Sequence, residues 1–222
     1  MSKNPEKFPI IAENLSFKYS KEENKVLNKI SLKLSRGKFI LCCGPTGSGK
    51  TSLIRSINGL IPYFFRGKFY GYMKINGLDT IEAKSPARLS KFCGTVFQNP
   101  ENQIFSMNVK NEILFSLEQF GYSKEKMNNR LQSVLKIIDI SNLLDKSPFE
   151  LSGGEKQIIA IASLLSLEPD ILLLDEPLSN LDPKTAQTIV NILLKLKNEK
   201  NKTILISEHR IEYILNVIDE VI

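Results

Sequence analysis

The chain has 222 residues, 42% of them hydrophobic, enough for a substantial core and for one domain, or one domain with a subdomain. Its 30 basic and 24 acidic residues give a formal charge of +6, but the lysines are scattered and form no basic run or basic-aromatic stripe, so a solvated surface is read and no nucleic-acid partner is expected. Cys42, Cys43 and Cys93 are too few and wrongly spaced for a disulfide framework or a zinc site, and no apolar stretch approaches the ~20 residues of a membrane helix.

The cysteines read as small core hydrophobes in a reducing compartment, two of them in a buried-looking strand. Met1-Ser2-Lys3-Asn4-Pro5 leads into no apolar signal segment. A soluble, cytoplasmic chain is therefore expected, serving any membrane process through a partner.

Apolar residues alternate over Ile11 to Tyr19 and Val26 to Leu34, separated by the charged Ser20-Lys21-Glu22-Glu23-Asn24, which predicts an antiparallel strand pair. Phe17 and Tyr19 share a face of the first strand, and either ring has the position to stack on a base or to cover sheet.

Next, the apolar run Phe39-Ile40-Leu41-Cys42-Cys43 feeds Gly44-Pro45-Thr46-Gly47-Ser48-Gly49-Lys50-Thr51, and Ser52-Leu53-Ile54-Arg55 continues as a helix to about Asn58. The spacing G-x-x-x-x-G-K-T between strand and helix is a phosphate cradle. Its glycines free the backbone to aim successive N–H groups at one anion, Lys50 supplies a mobile cation, and the Thr51 hydroxyl is a hard ligand for magnesium. The loop predicts a nucleoside triphosphate without saying what its hydrolysis drives.

Phe69 to Gly77 reads as another hairpin strand, and the strand Gly94-Thr95-Val96-Phe97 stops at Gln98-Asn99-Pro100, where open α/β sheets place ligand contacts. From about Asn108 to Leu144 the periodicity is helical, with Ile113, Leu117 and Phe120 on one face and Leu131, Val134, Leu135 and Ile138 on another. Leu151-Ser152-Gly153-Gly154-Glu155-Lys156-Gln157 then precedes a helix from Ile158 to Leu167 that is apolar nearly all round. Ser152 fits an N-cap, and the two glycines are read as leaving N–H groups open, a second anion site roughly 100 residues from the first.

Asp170 to Leu174 is a short buried strand ending in Asp175-Glu176-Pro177. Adjacent carboxylates there are costly unless they face a cation or catalysis; Asp175 suits magnesium held through water, and Glu176 a general base. Asp182-Pro183 starts a helix carrying Ile189, Ile192, Leu193 and Leu196. Thr203-Ile204-Leu205-Ile206 is a last core strand, delivering Ser207-Glu208 and the only histidine, His209, in position to sense a γ-phosphate.

These pieces in this order resemble the nucleotide-binding subunit of ATP-binding cassette (ABC) transporters over essentially the whole chain, with LSGGEKQ the most specific of them. The resemblance implies an α/β P-loop NTPase fold over residues 1–222: a RecA-like core with an antiparallel β-subdomain and a helical subdomain at about 99–158. It implies ATP and magnesium. Nucleotide contacts fall to Tyr19 (rather than Phe17), Gly44, Pro45, Thr46, Gly47, Ser48, Gly49, Lys50, Thr51 and Ser52, with Ser152, Gly153 and Gly154 closing over the ATP of a second subunit in a head-to-tail homodimer or heterodimer. Magnesium falls to Thr51, Gln98 and Asp175, catalysis to Glu176, His209 and Gln98, and Ser179 to Asp182 is the D-loop.

Within that family, Val96 to Phe105, Gly59-Leu60-Ile61-Pro62 and Ser207-Glu208-His209-Arg210 are similar to the energy-coupling factor ATPases, which power uptake of vitamins and of cobalt or nickel ions. By that resemblance a transmembrane coupling protein contacts Gln98 to Phe105, and the chain sits peripherally on the cytoplasmic face of the membrane. Ile158 departs from the arginine of many members, and the chain stops at Ile222 without the C-terminal extension many carry, as one half of a tandem protein or a trimmed piece would. The rival reading is a soluble ABC ATPase acting on nucleic acid or ribosomes. Such proteins carry coiled coils or zinc modules, for which the interval between loop and signature has no room and the chain no ligand cluster.

Overall fold

The computed structural model describes residues 6–222. Its elements in chain order are β1 (Ile10–Tyr19), β2 (Leu27–Leu34), β3 (Phe39–Cys42), α1 (Lys50–Ile57), the short turn α2 (Leu60–Tyr63), β4 (Gly67–Ile75), β5 (Leu78–Asp79), α3 (Pro86–Leu89), β6 (Cys93–Val96), α4 (Val109–Gln119), α5 (Lys124–Leu135), α6 (Gly153–Ser166), β7 (Ile171–Asp175), α7 (Pro183–Lys200), β8 (Thr203–Ser207) and β9 (Glu220–Val221). They form two sheets. One is antiparallel in the order β2-β1-β4-β5, and the other has the order β6-β7-β8-β3-β9 with every pairing parallel.

Alternation along the parallel strands divides the hydrophobic interior in two. Phe39, Leu41, Leu172, Leu174, Ile204 and Ile206 point to one face, where α4, α5, α6 and α7 supply Ile113, Leu131, Ile159 and Ile189. Ile40, Cys42, Ile171, Leu173 and Leu205 point to the other, against α1 and the inner face of the antiparallel sheet with Phe17, Leu15 and Ile10. Strands covered on both sides must be apolar at every position, and β3, β7 and β8 are buried throughout. Each fully buried Leu or Ile here contributes roughly 1.5–3 kcal/mol.

The expected helical stretch between β6 and β7 resolves into α4 and α5, each started by a side-chain cap from Asn108 or Ser123. Ile113, Leu117, Leu131, Val134 and Ile138 are buried as their periodicity predicts, while Phe120 and Leu135 of the same faces, near the helix ends, are only half-buried. The apolar helix begins earlier than Ile158, at Gly153, because the Ser152 cap closes the first turn and the glycines become part of it. Cys43 corrects the reading of the cysteines: β3 ends at Cys42, and Cys43 is exposed while Cys42 and Cys93 are buried. Burial pushes the Cys42 thiol up to about 11 and that of Cys93 to about 12, so both behave as core hydrophobes. No helix among the described residues is long and apolar enough to cross a membrane.

Candidate nucleotide site

All the polar residues singled out at strand ends lie at one edge of the parallel sheet. The strands run the same way, so the phosphate loop follows β3, Gln98 follows β6, Glu176 follows β7 and His209 follows β8, and their carboxyl ends share one crevice.

The loop itself is shaped by backbone angles that side chains resist. Gly47 and Gly49 have φ of +82° and +102°, and a Cβ at Gly49 would stand 2.8 Å from the Val26 carbonyl. Gly49 serves as the N-cap of α1 without any side-chain cap, and the first turn carries no acid, so the positive end of the helix is left for an anion. Lys50 is only 8% exposed and folds back, Nζ donating to the carbonyls of Gly44 at 2.8 Å and Pro45 at 3.2 Å. Beside the loop, Tyr19 Oη and Ser52 Oγ are 2.9 Å apart, with Arg55 Nη1 at 3.4 Å from the same phenol. Phe17 is fully buried and meets Tyr19 edge-on at 4.8 Å, which removes it from the choice between the two rings and leaves Tyr19 at the rim. Arg55 lies 4.1 Å over Phe65, a support for Tyr19 whose residues carry no motif of their own.

Residues from three different strands meet at the second cluster. Glu176 accepts at Oε2 from Gln98 Nε2 at 2.8 Å, and its Oε1 lies 3.3 Å from His209 Nε2. Glu176 holds a left-handed φ of +51°, a conformation worth roughly 1–3 kcal/mol of strain in a residue with a side chain. The neighbours over-determine it. Its N–H donates to Ser207 O at 2.9 Å, and its carbonyl accepts from Ser179 N at 3.2 Å and Ser179 Oγ at 2.8 Å. Asp175 is buried and accepts from Ser207 Oγ at 2.6 Å, and among the described residues its other oxygen has no donor. From the sequence Ser207 is named only in the last strand's delivery, with no role; a polar residue ending an all-apolar strand next to an acid was the available signal.

Magnesium fits these residues chemically, since the Thr51 hydroxyl makes no hydrogen bond among the described residues and stands with Asp175 and Gln98 as hard oxygen donors. Among the described residues there is no group of three His, Cys, Asp or Glu side chains placed to hold an ion by themselves.

The signature turn has Ser152 as its N-cap, as the sequence predicts, and adds an acid to the cap. Ser152 and Glu155 form a reciprocal capping box: Glu155 N donates to Ser152 Oγ at 3.3 Å, while Glu155 Oε2 accepts from Ser152 N and Ser152 Oγ, both at 2.8 Å. The second helix start is thus already capped by the chain's own acid, whose carboxyl is held below its ordinary value by the Ser152 N–H and hydroxyl. Among the described residues the Gly153 and Gly154 amides have no partner at that end. Gly153 faces open space, whereas a Cβ on Gly154 would meet Thr185 of α7 at 2.6 Å.

A groove of about 400 Å³ lies next to the crevice, lined by Leu60, Cys93, Phe97, Phe105, Phe115 and Leu164 among others. The segment after Gln98 is folded onto β6 by Gln103, which accepts from Phe97 N at 2.7 Å and donates to Thr95 O at 3.1 Å, and Glu112 holds the amides of Phe105 and Ser106. Phe105 at the rim is 64% exposed and the neighbouring Met107 87%.

A bare glycine-shaped helix start at the carboxyl edge of a parallel sheet is built for a triphosphate, and on these grounds the fold is that of a P-loop NTPase. The profile of the family described as ABC transporter matches residues 27–179. The chain belongs to the ABC transporter ATP-binding family and is an ABC ATPase domain. It is 46% identical over 96% of its length to a Treponema denticola protein named as an ABC transporter ATP-binding protein, of which it spans 43%. It is 39% identical over 96% of its length to a similarly named Pyrococcus abyssi protein, of which it spans 76%. Among solved structures it is similar to cbiO1 from Clostridium perfringens, described as part of the ABC transporter complex cbiONQ, with TM-score 0.86 and 30% identity over 97% of this chain and 84% of that one. It is also similar to an ATP-binding cassette solved as a post-hydrolysis dimer with ADP and phosphate, with TM-score 0.77 and 29% identity over 92% of this chain and 89% of that one.

Proposed function

We propose that this chain is the ATP-hydrolysing subunit of an energy-coupling factor type transporter, driving uptake of a vitamin or transition-metal ion from the cytoplasmic face of the membrane. The observation that carries the catalytic part is the meeting of Gln98, Glu176 and His209 beside the phosphate loop. The likeness to cbiO1, part of cbiONQ, supports the transporter type.

In this reading the triphosphate binds across Gly44 to Ser52 with its base against Tyr19. Lys50 exchanges two neutral carbonyls for phosphate oxygens, a charge-assisted and stronger pairing. Thr51, Gln98 and Asp175 would hold magnesium, which supplies charge neutralisation at the terminal phosphates. Gln98 leaves Glu176 as it turns to that duty. The freed Glu176 carboxylate takes a proton from the attacking water as the water oxygen bonds to the γ-phosphorus and the bond to the β–γ bridging oxygen breaks to release ADP and phosphate, while His209 donates a hydrogen bond from its ring to a γ-phosphate oxygen. Ser152, Gly153 and Gly154 of a second ABC subunit, identical or not, close over the phosphates in a head-to-tail dimer. The groove beside Gln98 to Phe105, with apolar Phe105 exposed at its rim, suits an apolar segment of a transmembrane coupling protein.

Glu176→Gln is the direct test. It is expected to bind ATP, lose about 10²–10⁴-fold in turnover and accumulate an ATP-bound dimer by sedimentation; turnover near the wild-type rate would remove Glu176 as the base. Purification of the tagged chain from its own cells, with membrane protein or with ribosomes and nucleic acid as the companion, separates a transport role from the soluble alternative.

A further inference from the structure

The residues on either side of His209 are engaged in a way that catalysis itself does not require. Glu208 is 3% exposed, an unusual place for a carboxylate in a surface turn, and such burial is tolerated only with hydrogen bonds in compensation. Its Oε1 accepts from Leu178 N at 2.8 Å and its Oε2 from His209 N at 2.8 Å. Burial pushes this carboxyl up, against the pull of the His209, Leu178 and Arg210 amides. Arg210 grips the same turn from its carbonyl side, Nη1 donating to Leu181 O at 2.7 Å and Leu178 O at 3.3 Å. The guanidinium is fixed in its turn by Tyr213, whose hydroxyl accepts from Nη2 at 2.7 Å and whose ring lies 4.7 Å beneath.

Leu178 is therefore held at its N–H by the residue before His209 and at its C=O by the residue after it, while its side chain is fully buried. Two residues upstream in the same turn is Glu176, whose N–H is bonded to Ser207. A single frame of charged hydrogen bonds thus spans the carriers of the base and of the histidine. We propose that Glu208 and Arg210 are positioning residues that bolt the 176–181 turn to the 207–210 turn, fixing His209 against Glu176. Neither side chain bonds to the Glu176 or His209 side chain. The inference rests on the ATPase reading above.

The test compares Glu208→Gln, Arg210→Ala and Arg210→Lys in the full chain, each also combined with His209→Ala. Glu208→Gln keeps one acceptor but turns an amide N–H₂ toward an N–H it must accept, so both this variant and Arg210→Ala are expected to lower kcat about 10–100-fold. ATP should still bind one per chain, with KM within about twofold of wild type. Arg210→Lys, retaining the cation, should recover part of the loss. Because the two residues act through His209, neither should slow the His209→Ala chain further. Wild-type kcat in Glu208→Gln and Arg210→Ala overturns the proposal, as do losses that multiply with His209→Ala or that follow a fall in ATP bound per chain. If the wild-type chain binds ATP and Glu176→Gln turns over as fast as it does, the catalytic reading fails; if only the bolt variants are silent, this inference alone fails.

Discussion

The starts of α1 and α6 both carry glycines, and they differ in what they leave free. At α1 the cap is Gly49, with no side-chain cap and no acid in the first turn, so the loop exposes a positive helix end. At α6 the cap is Ser152, and Glu155 reaches back to form a complete capping box that places a carboxylate over the end of the helix. The first is a site ready for phosphate within one chain. The second spends most of its donors on itself, so it offers an incoming phosphate only the Gly153 and Gly154 amides unless Ser152 exchanges its partner. A glycine pair before an apolar helix therefore marks a possible approach, and the residue at the third helical position decides whether the approach is open.

The largest expected effect separates the two ends. Ser152→Arg should abolish the ATP-dependent dimer in sedimentation while leaving ATP affinity of the single chain unchanged, since α1 is untouched. Loss of monomer affinity would mean that the two ends are not independent. Gly49→Ala comes next. The added Cβ meets the Val26 carbonyl at 2.8 Å in a left-handed backbone, strain of roughly 1–3 kcal/mol, and ATP titration should show about 10–100-fold weaker binding. Glu155→Gln keeps the reach of the cap and removes its charge, so the dimer should tighten about two- to fivefold, with no change at α1; a weaker dimer would mean that the carboxylate itself is needed for closure.

The smallest effect is one of pH. Glu155 has its folded value lowered from 4.5, so its contribution to the α6 cap is present above 4.5 and is lost as pH falls through the lowered value. Amide exchange should show fraying at residues 153–156 on acidification, with no matching change at α1, which has no acid in its first turn.

Sequence alone determined the features that short-range physics encodes. Strand runs such as Ile204 to Ile206, the glycine spacing of the phosphate loop, the Ser152 cap of α6 and the Asp182-Pro183 start of α7 depend on local φ/ψ preference and period, and the structure has them where those rules place them. That Gln98, Glu176 and His209 sit at strand ends was legible for the same reason. Their meeting was not, because they are brought together by the order β6-β7-β8 and by a strained turn at Glu176. Burial choices were likewise tertiary. Phe17 and Tyr19 alternate identically, yet one is covered by the second core and the other reaches the rim. Cys42 and Cys43 are chemically equal neighbours separated only by where β3 stops pairing with β8. Glu208 is visible in the chain only as part of the Ser207-Glu208-His209-Arg210 stretch and becomes a buried bolt when β8 brings it under the turn that follows β7, where two amides await a carboxylate.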